Sequence, residues 1–244
     1  MVVRIKHIGI ATFAASAFLM GAQAQAVPVT VAGATVSFTF DSALAGLFGA
    51  PSVSGDSLYF TPTSFKAQSN SGAGFAVTSQ TFNVAVTANA GYQIAGAVLT
   101  EGGDYFNINT NFAGNEGVAV GGQFILRDLD SPFAAPVSAN IVASAPLTST
   151  TTLATFGTTN WTAGASLNVP LGWGGQDGIV DGVNLTLQNI LIASSLNAAS
   201  SAFIEKKFAG IEIVTTPVPE PANYAMFLAG LGILGYLARR RAAA

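Results

Sequence analysis

Between Val27 and Val218 the chain carries eleven carboxylates and four bases, Lys66, Arg127, Lys206 and Lys207, a net of −7. Glu101, Asp104 and Glu116 fall close together in sequence. Two carboxylates at a fixed separation are what glycoside hydrolysis needs, whereas a lectin-like site could use carboxylates together with Tyr105, Trp161 or Trp173. The plainer assignment is that Glu101 and Asp104 flank a tight turn at Gly102-Gly103, where acids cap and solvate a hairpin. Asp128 and Asp130, in Arg127-Asp128-Leu129-Asp130, and Asp177 and Asp181, in a second acidic loop, are oxygen donors of the kind calcium takes. Neither stretch has the alternating acidic positions of an EF-hand loop, and no metal site is assigned.

The chain has no cysteine, and its one histidine is His7. Residues 27–218 therefore offer no Ser-His-Asp triad, no Cys-His pair and no ordinary zinc ligand set. No catalytic residue and no cofactor are assigned, and the expectation is a protein that is not an enzyme. The acidic balance argues against nucleic acid as a partner. Trp173, within Leu171-Gly172-Trp173-Gly174-Gly175-Gln176, is either an exposed sugar-stacking ring or a buried loop anchor, and the anchor is favoured. Leu147 to Thr162 holds eight threonines, which suits a β-branched edge strand or an O-glycosylated one.

The elements that must position these residues read as strands. Val29 and Val31, then Val36, Phe38 and Phe40, alternate with polar neighbours, as do Phe82, Val84 and Val86. Asp56 to Ala67 reads as an edge strand, because Pro62 has no backbone donor for a central ladder. Gly91 to Asn109 reads as two strands joined at Gly102-Gly103, and Gly117 to Leu129 as a strand broken at Gly121-Gly122. Val183 to Ala193 alternates well, and Phe203 to Thr215 closes the domain with Ile211, Ile213 and Phe208 inward. No long capped amphipathic helix interrupts residues 27–216. Many short strands with Gly, Asn and Ser turns indicate an all-β fold, an antiparallel, jelly-roll-like β-sandwich. Without cysteine its core has no disulfide to lean on, and roughly 190 residues are enough to form one.

The two ends differ from this body. Arg4 and Lys6 precede an apolar stretch, Ile8 to Met20, and Ala22-Gln23-Ala24 and Ala24-Gln25-Ala26 fit small-x-small cleavage sites. Residues 1–26 are thus expected to be a signal peptide, cut beside Ala24 or Ala26 and handled by the secretion machinery. At the other end, residues 217–244 run in three parts: Pro219-Glu220-Pro221, an uncharged stretch from Ala222 to Ala238, and the cluster Arg239-Arg240-Arg241. The two prolines favour an extended, readable peptide. The uncharged stretch covers about 25 Å as a helix, the short end of what crosses a bilayer. It is expected to be a transmembrane helix, with the arginines on the cytoplasmic side and the domain outside.

This order of parts resembles the PEP-CTERM sorting domain of exported bacterial proteins. The resemblance covers about the last 28 residues and implies an exosortase as processing partner, acting at or near Pro219, Glu220 and Pro221. It also implies an inner-membrane precursor that ends at the cell surface or outside the cell. Two functions then stand for residues 27–216: a non-catalytic surface or matrix protein of a biofilm or exopolysaccharide layer, or an extracellular carbohydrate-binding or weakly hydrolytic β-sandwich module.

Overall fold

The computed structural model describes residues 28–109, 116–148, 157–218 and 221–242. The expected signal peptide with Ala24 and Ala26, the threonine-rich residues 149–156, and Pro219 and Glu220 lie outside them.

The period-two pattern becomes two antiparallel sheets. In the first, the order is β1 (Pro28–Ala32), β2 (Val36–Asp41), β6 (Gly74–Ala88), β12 (Gly182–Ser195), β8 (Glu116–Asp128) and β9 (Val137–Asn140). In the second it is β10 (Val142–Ala143), β11 (Thr159–Asn168), β7 (Tyr92–Asn109), β13 (Ser200–Pro217), β4 (Ser57–Phe60) and β3 (Ser52–Ser54), with β5 (Lys66–Asn70) also paired to β13. The sheets face each other across one core. Alternation supplies each inner face: Val36, Phe38 and Phe40 on β2, Phe82, Val84 and Val86 on β6, and Val183, Leu185, Leu187, Leu191 and Ala193 on β12. The second sheet answers with Ile94, Ala97 and Leu99 of β7 and Ala209, Ile211 and Ile213 of β13. Phe48, on a short 3-10 turn (Gly46–Phe48), plugs one part of the core, with ring centroids 5.2 Å from Phe60 and 5.3 Å from Phe65. The antiparallel sandwich expected from the alternation is the fold observed.

Several local expectations are corrected. Gly102-Gly103 is not a hairpin: β7 runs through both glycines without reversing, and neither has the positive φ of a tight hairpin turn. They are small because neighbours come close. A Cβ on Gly103 would collide with the carbonyl oxygen of Glu205, and one on Gly102 would sit 3.3 Å from that of Trp161. β8 likewise runs unbroken through Gly121-Gly122, where Gly122 takes φ +137° and lies against the backbone of Gln188 on β12. Pro62 does not lie in an edge strand but in the gap between β4 and β5, both of which pair with β13. Phe208 points outward, half exposed, because a register shift between Lys206 and Phe208 inserts one extra residue into β13 and switches its alternation. Val29, too, is exposed, since β1 is the outermost strand of its sheet.

A helix, α1 (Pro221–Ala242), follows β13. Pro221 occupies its first position, where a missing N–H costs nothing and a fixed φ fits. The transmembrane reading of Ala222 to Ala238 is not met: among the described residues no helix is long and apolar enough to cross a membrane. Gly230, Gly232 and Gly235 dilute the apolar run, and Arg239, Arg240 and Arg241 fill its last turn. What is left is shorter than the ~30 Å hydrocarbon layer.

Candidate functional site

Met226, Phe227, Leu228, Leu231, Ile233 and Leu234 on α1 are all exposed, so the helix presents apolar side chains that the β domain does not cover. Such a surface calls for a non-aqueous or protein partner. The arginines at its end are also exposed, and three cations there complement the negative end of the helix dipole.

Glu101 and Asp104 do not converge. Glu101 and Asp104 lie on opposite sides of β7, which an odd spacing along a strand requires. Asp104 is nearly buried on the outer side, 2.7 Å from the ammonium of Lys207. That contact is the first cause holding the Lys207 amine above its ordinary value. The side chain of Glu116, at the start of β8, lies outside the described part. Glu101 and Asp104 therefore do not face each other as a pair for glycoside hydrolysis, and their turn-capping assignment falls with the hairpin.

The two acidic loops do meet, as loop fasteners. Buried Asp128 accepts hydrogen bonds from the backbone N–H groups of Asp130 and Gly174, each at 2.9 Å. Asp130 accepts from the N–H groups of Asp181 and Gly182, and Asp177 from that of Ile179. Among the described residues no group of three His, Cys, Asp or Glu side chains could hold a metal. Trp173, 6% exposed, is an anchor beneath its glycine loop rather than an open stacking face. Trp161 and Tyr105 are buried too, the Trp161 indole donating to the carbonyl of Glu205 at 3.1 Å.

Glu101 instead points into the core. Its carboxylate lies 2.6 Å from the Nζ of Lys206, and neither side chain has any exposed surface. Its other oxygen accepts from the side-chain amide of Asn189, which reaches across from β12 in the facing sheet and is 1% exposed. The rings of Phe48, Phe65 and Trp161 surround the ammonium, with centroids 5.3–5.9 Å away. Burial pushes the Lys206 amine down to about 8, against a partial upward pull from Glu101. Lys206 faces inward by plain alternation after Ala202 and Ile204, and Lys207, the next residue, turns out to Asp104; the register shift follows and changes the alternation only from Phe208 on.

Neither Lys206 nor Asn189 was singled out in the sequence. Their signal was present: each occupies an inward position of an alternating strand, Lys206 after Ala202 and Ile204, Asn189 between Leu187 and Leu191. A polar residue placed on a buried face requires a partner there.

In comparison with known families, residues 217–242 fit the family model of the PEP-CTERM protein-sorting motif. The chain thus carries this motif across Pro219, Glu220, Pro221 and α1, ending at the arginines, and the motif implies exosortase sorting of an exported protein. No curated protein matches the chain.

Proposed function

We propose that the protein is exported, presented at the inner membrane through its C-terminal tail, cut there by an exosortase, and released as a structural component of the cell surface or of an extracellular matrix. In this reading residues 27–216 work by persistence and contact, beside exopolysaccharide, and turn over no substrate. The sorting motif at residues 217–242 carries the proposal. The exposed apolar surface of α1 supports it, since a helix that leaves its own domain uncovered is available to a membrane enzyme. Glu220, with a proline on either side, is the only charge between Glu212 and Arg239, a single recognition point on a stiff peptide.

Replacing Pro219, Glu220 and Pro221 by alanine tests the reading. Export should continue, tail removal should stop, and uncut protein should accumulate in the membrane fraction. Mass spectrometry of the wild-type protein from its native host should find a C-terminus lacking Arg239–Ala244. A product that retains those residues would show that no tail cleavage takes place.

A second reading has one observation in its favour. The outer face of the second sheet holds a groove of about 520 Å³ lined by Tyr59, Phe208 and Glu212 among others. Aromatic rings beside a carboxylate suit a sugar. Glycan-array binding that disappears on Phe208→Ala would favour a carbohydrate-binding module. No binding in the wild type would remove it.

A further inference from the structure

Lys206, Glu101 and Asn189 form a set whose chemistry exceeds that of a buried ion pair. Amine and amide are held on the two oxygens of one carboxylate, in a core closed by Phe48, Phe65 and Trp161. The carbonyl oxygen of Asn189 is buried without a hydrogen-bond partner among the described residues. An ion pair needs no amide beside it, and an amide placed for packing alone does not leave its acceptor bare. A primary amine, a primary amide and a proton carrier between them are the components of amide exchange.

We propose that Lys206 and Asn189 become covalently joined, side chain to side chain, by an amide bond that forms within the folded domain with Glu101 as the proton-transfer group. Glu101 first takes a proton from the Lys206 ammonium. The freed lone pair on Nζ adds to Cγ of Asn189, while the protonated Glu101 donates to the bare carbonyl oxygen. The Cγ–Nδ2 bond then breaks. Nδ2 leaves as ammonia, having received the second proton lost by Nζ through Glu101, and takes up the first proton to depart as ammonium. The Nζ–Cγ bond remains, and Glu101 ends as it began. Atoms and charge balance: one ammonium side chain and one primary amide give one secondary amide and one ammonium ion, with no oxidant, reductant or further component.

Three features favour the step. Fixed positioning replaces a bimolecular encounter, worth effective concentrations on the order of 10⁵ M or more in well-oriented cases. The aromatic enclosure excludes the water that would compete with the amine. The depressed basicity of the Lys206 amine eases the first proton transfer. The bond would tie β12 of one sheet to β13 of the other.

A glutamate-specific protease tests this on the purified, folded full chain, because cleavage after Glu205 separates Asn189 from Lys206. The fragment ending at Glu205 should remain attached to the fragment 206–212, at a mass about 17 Da below the sum of the two, the loss of ammonia. Two separate fragments of unmodified mass from the wild type would overturn the proposal, whatever the variants do. Asn189→Ala should abolish the joined species, and its survival there would overturn the assignment of Asn189. Glu101→Gln keeps the shape but cannot cycle the proton. A folded Glu101→Gln protein, checked by circular dichroism, should give separate fragments, and a joined species in it would overturn the role of Glu101.

Discussion

The Nζ of Lys206 lies 2.6 Å from the carboxylate of Glu101, and both side chains are fully buried. Taking either charge away leaves the other stranded in the core. In an Asn189→Ala background, where no amide bond to Lys206 can form, Lys206→Met should cost about 3–5 kcal/mol. Adding Glu101→Leu should return much of that, because an apolar pair of similar volume needs no solvation. Urea unfolding of the three proteins measures it, and a double variant no more stable than the Lys206→Met protein would contradict the account.

The same background should show a distinctive pH dependence. The amine of Lys206 has a folded value of about 8 against an ordinary 10.5, chiefly because burial disfavours the charged form. The unfolded chain therefore holds this proton more tightly than the folded one. Stability from this group is lowest below pH 8 and rises between about pH 8 and 10.5, as the unfolded state alone stays protonated. The difference between Asn189→Ala and Asn189→Ala/Lys206→Met proteins, followed by thermal melts across that window, isolates the group. A difference that stays flat or falls with pH would refute the sign.

Adjacent glycines on β8 should respond in opposite ways to alanine. At Gly122, φ is +137° and a Cβ would run into the carbonyl oxygen of Gln188 on β12. At Gly121 a Cβ would meet nothing within 4 Å. Gly122→Ala should lower the melting temperature by several degrees, whereas Gly121→Ala should leave it unchanged or raise it slightly. Equal effects would mean that the close approach of β8 and β12 is not what selects glycine.

In the acidic loops, the carboxyl of Asp130 titrates above its ordinary 3.8, first through partial burial and then through repulsion by Asp181. A carboxyl raised in the folded state binds protons more tightly there than in the unfolded chain, so its contribution to stability falls as pH rises through the raised value. Asp181→Asn should bring the Asp130 titration down, seen by side-chain carboxyl NMR, and should slightly stabilise the protein at neutral pH. An unmoved titration would exclude the repulsion as a cause.

How far the sequence could be read depended on whether a feature is local. Alternation at Val36, Phe38 and Phe40 and at Val183, Leu185 and Leu187 marked inner faces correctly, because a strand's period needs no knowledge of its neighbours. Gly102-Gly103 misled, because a glycine kept for a neighbour's approach and a glycine kept for a turn look identical in sequence. The orientation of Phe208 was illegible for a related reason: one residue inserted in β13 reverses the alternation beyond it, and only the register against β7 reveals it. The tail was legible as a motif because its parts lie in one short stretch. Glu101, Lys206 and Asn189 come from three strands in two sheets, and no spacing in the sequence announces that they meet.

Only Val218, Pro219 and Glu220 separate the end of β13 from the start of α1, a tether of at most about 14 Å. The N–H of Val218 is moreover still bonded to the carbonyl of Gly91. Any protein that grips the helix must therefore work almost against the wall of the sandwich, with no stalk to separate them. A pull on this end is delivered straight into β13, which is paired with β7 along most of its length. Drawn along its own axis, that strand cannot peel away one bond at a time; its ladder must give way by sliding as a whole. The exit from the sandwich is thus placed where the fold resists traction, which suits a domain held by its tail until that tail is cut.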